Sequence, residues 1–197
     1  EEMVERFGVK IHAYVLMPNH THLVVETSEG NLSAAMQWWS GSYSMWFNRR
    51  EKRVGPLVQG RFKAVLFEGK AEAWGVTRYV HLNPARVKGL ELDKAGAKTE
   101  ALGLRAVSPD LLKRRQAVLR EFRWSSYPYY AGWRSAPAWL TVKEILAEGS
   151  EKEEKEQRAA YCRYVESGLG AELVESPLER AAAGFLLGSR EWIERMR

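Results

Sequence analysis

Residues 9–26 run Val-Lys-Ile-His-Ala-Tyr-Val-Leu-Met, then Pro18-Asn19, then His-Thr-His-Leu-Val-Val-Glu. Two β-rich runs flanking a turn signal predict a β-hairpin. Once those residues are strand, alternation decides which side chains share a face. His20 and His22, two apart at the start of the second run, leave the same face and can converge on one ion. The pair alone leaves two readings open, a metal site or two histidines hydrogen-bonded to backbone and water.

Around the hairpin the pattern turns helical. Residues 1–7 look like the end of a helix stopped by Gly8. Asn31 opens a helical pattern through Arg50, in which Leu32, Met36, Trp39, Tyr43, Trp46 and Phe47 recur at three- and four-residue steps. This predicts an amphipathic helix ending in Arg49, Arg50, Lys52 and Arg53. Residues 57–68 begin irregularly after Gly55-Pro56 and become strand-like, with Arg61 and Lys63 on one face and Phe62 on the other, predicting a third strand. Residues 70–82 run into Asn83-Pro84, where the residue before proline is pushed out of the α region, so a short helix carries Trp74, Tyr79 and His81.

Further along, 90–109 shows no sustained period and reads as loop with room for one helical turn, 109–122 as a basic helix, and 142–146, 152–166 and 177–196 as helical patterns. The mixed-sign run at 151–156 reads as a solvated helix face. The whole is an α+β chain, divided into a unit at 1–132 and a helical extension at 133–197.

Composition narrows the function classes. No apolar run approaches the length of a membrane span. No charged segment followed by an apolar one opens the chain, and the single cysteine, Cys162, allows neither an internal disulfide nor a thiolate zinc cluster, so a cytoplasmic home is expected. Lysine and arginine outnumber acids by 30 to 25, with a sequence pI near 9.3, which suits a polyanionic partner. Eight Trp and eight Tyr offer either core packing or faces on which unstacked bases settle.

Tyr79 and Asn83 stand four apart and would share a helix face. An amide oxygen beside two imidazoles makes a donor set that a magnesium or manganese ion accepts, and such an ion neutralises charge on a scissile phosphate. Tyrosine, with a reference pKa of about 10, needs that help to act as a nucleophile. Taken without that pairing, Tyr79 is a packed helix residue beside Val76 and Val80, and Asn83 a terminator suited to turn geometry.

Three blocks, Tyr-Val-Leu-Met-Pro-Asn-His-Thr-His-Leu-Val-Val at 14–25, Gln-Gly-Arg-Phe-Lys at 59–63 and Arg-Tyr-Val-His-Leu-Asn-Pro-Ala-Arg at 78–86, occur in order. Together they resemble the REP-associated tyrosine transposases, IS200-like members of the single-tyrosine HUH endonucleases, with similarity spanning about 4–132 and including Trp124-Ser-Ser-Tyr. The resemblance implies a ferredoxin-like antiparallel sheet with helices on one face. It implies His20, His22 and Asn83 as ligands of Mg2+ or Mn2+, and Tyr79 as the nucleophile that cuts and rejoins single-stranded DNA through a 5′-phosphotyrosine. Arg49, Arg50, Arg53, Arg61, Lys63 and Arg86 are then candidate phosphate contacts, and hairpin-flanked repeats the expected target. The aromatic-basic segment at 122–130 reads either as stacking platforms or as a packing corner.

Two departures matter. Thr21 stands where the family has a large hydrophobe, though its β-branched side chain still suits a strand. The strand and helix that would precede Glu1 are missing, leaving a sheet edge beside the catalytic strand open and the chain a fragment, a truncated product or one completed by a partner. Monomer and dimer both remain open. The alternative function is a hairpin-binding module that has lost catalysis. Relatives used for plasmid relaxation or replication initiation would carry further domains that 197 residues cannot hold.

Overall fold

The structure, a computed structural model, describes residues 1–149, 153–170 and 172–196. Helix α1 (Glu2–Phe7) ends where Gly8 adopts φ 62°, the left-handed conformation that costs glycine nothing. The predicted hairpin follows as β1 (Lys10–Leu16) and β2 (Thr21–Glu26), antiparallel, with Val15 opposite His22 and Leu16 opposite Thr21. A register shift between Ile11 and Ala13 leaves His12 as the extra residue of a bulge. Helix α2 (Leu32–Arg50) runs as expected, yet Ala35 is its one fully buried side chain. Its first half packs Trp38 and Trp39 on the core, while its second half does not.

One expectation, the third strand, is met only in part between α2 and the next helix. The segment at 57–68 contributes only β3 (Leu66–Phe67), which pairs in parallel with β4 (Leu186–Leu187) and not with the hairpin. Gly60 turns the chain at φ 70°, and Phe62 and Leu66 remain exposed, so the alternating pattern has no apolar face to bury and no ladder forms. The sheet beside the site is therefore the two-stranded hairpin alone among the described residues.

Helix α3 (Gly69–Leu82) lies against both hairpin strands and continues into a 3-10 turn at Asn83–Ala85. The region expected as loop with at most a helical turn holds α4 (Lys94–Ala101), two turns long and capped by Asp93 Oδ1, which accepts from Gly96 N. What the sequence pattern missed was tertiary: Ala97 and Glu100 are buried there. Helix α5 (Pro109–Glu121) is capped by Ser108, and short helices α6 (Tyr127–Tyr130) and α7 (Lys143–Glu148) precede α8 (Glu154–Ser167). The pattern at 177–196 is not one helix. It splits into α9 (Pro177–Arg180), β4 and α10 (Arg190–Met196), with left-handed backbone at Ala183 and Gly184 between them. The charge run at 151–156 lies partly outside the described residues.

Residues beyond 124 close the core around the hairpin and α3. Segments at 124–126 and 140–141 hydrogen-bond to the free edge of β1: Leu16 N donates to Trp124 O, Ser126 N to Tyr14 O, and Thr141 N to Ile11 O, each within 2.9 Å. Helices α7 and α8 pack on α3, and Gly149 passes so close that a Cβ there would sit 1.9 Å from the Trp74 ring.

The "basic" helix α5 hides its central cation. Arg115 is fully buried and all five of its N–H groups are used: Nε donates to Leu90 O, one terminal nitrogen to Glu100 and Leu169 O, the other to Glu100 and Glu91 O. Glu100 also accepts from Arg105 at 2.5 Å, and these cations hold its carboxylate pKa below the usual value despite the opposing penalty of burial. Removing one partner of such a pair leaves an uncompensated charge. Glu100→Ala is expected to lower unfolding free energy by about 3–5 kcal/mol. The measurement is the urea midpoint, and a loss below about 1 kcal/mol would show that water reaches Arg115.

Candidate active site

The hairpin and α3 bring four of the expected residues together. His20 and His22 lie with ring centroids 4.9 Å apart, and His22 stands edge-on to Tyr79 at 5.5 Å. Strand pairing explains half of this: His22 sits opposite Val15 on the hairpin face that packs toward α3. Helix geometry explains the other half, because Tyr79 and Asn83, one turn apart, look toward the same face.

His22 is half-buried, and its pKa falls to about 4: burial is the main cause, the charge of His20 adds to it, a hydrogen bond with Asn83 opposes it, and Arg86 adds a small further push down. Its ring is therefore neutral at pH 7, with a lone pair to offer. The Asn83 side chain lies close enough to His22 to interact with it, and that interaction favours the charged ring. The Asn83 amide nitrogen donates to Tyr79 O at 2.8 Å. Beside it, His20 Nδ1 donates to Asn19 Oδ1 at 2.7 Å, which leaves Nε2 outward. Two imidazole nitrogens and one amide oxygen could thus be presented to a single cation. The set has no carboxylate, and suits a divalent ion that keeps several water ligands.

Arg86 belongs to the same cluster. Its guanidinium carbon lies 5.1 Å from the Tyr79 ring centroid, and it donates to Val174 O, which fixes it from the C-terminal segment. The other expected phosphate contacts are elsewhere. Arg49, Arg50 and Arg53 crowd the end of α2, and Arg61 and Lys63 are exposed in the irregular stretch before β3. No contact joins these five to the Tyr79 cluster among the described residues.

A second group of possible ligands, His12, Glu26 and Glu144, lies four residues along β2 from His22, about 13 Å by strand rise. Here Lys10 Nζ already sits 3.0 Å from Glu144 and 3.4 Å from Glu26, while His12 Nε2 is 3.0 Å from Glu26 and its Nδ1 donates to Thr141 O. An ammonium in the place a metal would take makes this an ion-pair network.

Residues missed by sequence reasoning sit behind Tyr79. His81 is fully buried between Ser126 Oγ and Tyr161 Oη, each at 2.7 Å. Ser126 donates its hydroxyl proton to Tyr14 O, so at His81 it must accept. The ring is then protonated on Nε2, and Nδ1 accepts from Tyr161. Tyr127 and Tyr130 are fully buried as well, Tyr130 Oη donating to His12 O, so these two rings are packing, whereas Trp124 is half exposed with the Arg123 guanidinium 4.4 Å from its ring centroid. The repeated Ser and Tyr at 125–130 were the only sequence trace of this packing.

The fold is α+β, and one cluster in it groups two histidines of the hairpin with a tyrosine and an asparagine of α3 and the turn that follows. Residues 1–83 match the family model described as "Transposase IS200 like". No curated protein and no solved structure matches the chain. No helix among the described residues is long and apolar enough to cross a membrane.

Burial lowers the His81 pKa to about 3, whereas an unfolded histidine protonates near 6.5. Between those values the unfolded chain binds the extra proton, so stability rises with pH and is lost as pH falls below about 6.5. From pH 6 to pH 4 this one group should remove about 2–3 kcal/mol of unfolding free energy. His81→Gln should shrink the wild-type drop across that interval by the same amount in urea titrations. An unchanged drop would refute the assignment.

Proposed function

We propose that the chain is a metal-dependent single-stranded DNA endonuclease and strand transferase acting through Tyr79, with DNA flanked by small hairpins as its target. The observation that supports this reading is the convergence of His20, His22 and Asn83 on the side of α3 that carries Tyr79. His20, His22 and Asn83 would hold Mg2+ or Mn2+, which supplies charge neutralisation on the scissile phosphate. The tyrosine Oη attacks phosphorus in line with the leaving 3′ oxygen: the phenol loses its proton, the O–P bond forms, the P–O3′ bond breaks, and the 3′ oxygen takes up a proton. The product is a 5′-phosphotyrosyl link and a free 3′-hydroxyl, and reversal rejoins the strand without an external energy source. Arg86, held over the Tyr79 ring, is placed to meet the phosphate's negative charge.

Incubation with a hairpin-flanked oligonucleotide and manganese should give a covalent adduct that survives denaturing electrophoresis. Tyr79→Phe should abolish it, and His22→Ala or Asn83→Ala should slow it on the order of 100-fold or more, as chelation of the metal should. An adduct persisting in Tyr79→Phe would remove Tyr79 from the chemistry. Salt-dependent binding with no adduct in either metal would favour a hairpin-binding module instead.

A further inference from the structure

The second half of α2 carries large rings that nothing in the fold covers. Tyr43 is 47% exposed, Met45 69% and Trp46 52%. Tyr43 and Trp46 stack on each other at 5.8 Å and 29°. Guanidiniums alternate with the rings: Arg50 lies 5.2 Å from the Trp46 ring, and Arg53 lies 5.8 Å from that of Phe47. The turn after the helix is tied back onto it, Arg53 N donating to Asn48 O at 2.9 Å and Asn48 Nδ2 to Gly55 O at 2.8 Å, so the cations stay beside the rings. From residue 49 to 53 the chain presents Arg49, Arg50, Lys52 and Arg53 against a single carboxylate, Glu51, already paired with Arg50.

Charge selects the occupant. A second copy of the chain on this face would set cation against cation, and an apolar protein surface would offer no countercharge to Arg49, Lys52 and Arg53. A polyanion answers the charge, and a polyanion with free π-faces answers the rings as well. Bases inside a duplex are already stacked, so the match is to an unpaired strand. We propose that Tyr43 and Trp46, flanked by Arg50 and Arg53, form a base-stacking platform for the unpaired stretch of the DNA that Tyr79 cuts. The platform rests on the reading of the Tyr79 cluster as a single-strand nuclease. It adds a binding surface built on a different element from the metal-type ligands.

Binding of a labelled oligothymidylate of about 15 nucleotides, followed by anisotropy with EDTA present, separates the platform from the chemistry. The double variant Tyr43→Ala/Trp46→Ala should bind on the order of tenfold or more weakly. Trp46→Phe should retain nearly wild-type affinity, and Arg50→Gln should reduce the salt slope by about one. Because these side chains are exposed, circular dichroism should show unchanged folding. Wild-type affinity in the double variant, with the manganese adduct still forming through Tyr79, would overturn the platform and leave the active-site reading intact. A wild-type chain that binds no oligothymidylate would overturn the platform whatever the adduct assay gives. Loss of self-association in the double variant with DNA binding unchanged would assign the face to a second copy and overturn it too.

Discussion

The position of Tyr79 is decided on the opposite side of its helix, where His81 is held neutral between Tyr161 and Ser126. Every proton in that chain of bonds has one place to go: Tyr161 to Nδ1, Nε2 to Ser126, Ser126 to Tyr14 O, with Tyr14 N returning a bond to Ser126 at 2.9 Å. A fully satisfied buried polar network costs little and specifies one arrangement, whereas a partly satisfied one is worse than an apolar core. It joins α3, α8 and β1 through residues that touch nothing at the site. Around it Trp74 Nε1 donates to Ile145 O at 2.7 Å, and Arg78 grips Glu172 with both terminal nitrogens while lying 4.4 Å over Tyr164. The back of α3 is thus clamped at three successive turns, which lets its front remain half-open without losing register.

Clamping of this kind comes from parts of the chain far away in sequence, and that is why it was not legible there. The hairpin, α1 with its Gly8 stop, α2 and α3 were all written locally, in alternation, three- and four-residue spacing and terminators. So was the face shared by Tyr79 and Asn83. By contrast, Arg115 looked like one more cation on a basic helix, yet it is buried because Glu100 and three carbonyls converge on it. Its partner helix α4 escaped notice because its glycine and alanines carry almost no periodic signal. The failed strand at 57–68 shows the reverse case: strand-like alternation without a surface to bury it gives two paired residues and no more. His81 was seen only as a helix residue, since a buried histidine and an exposed one have the same spacing.

Asn83 ties these levels together. Proline at 84 tightens the last turn of α3, so the Asn83 backbone N–H is drawn from the α-helical acceptor, Tyr79 O, to Val80 O. Tyr79 O would then end the helix without a donor, a group that has to be satisfied where it is partly buried. The Asn83 side chain supplies the donor, which leaves its amide oxygen free of the helix end in a side chain that also interacts with His22. One residue therefore caps the helix that bears the tyrosine and offers an oxygen beside the histidines. An aspartate there would bring charge but could not donate to Tyr79 O. An alanine would leave both the helix end and the oxygen position empty. The Asn-Pro pair that stops the helix thus also fixes the Asn83 side chain beside Tyr79 and His22.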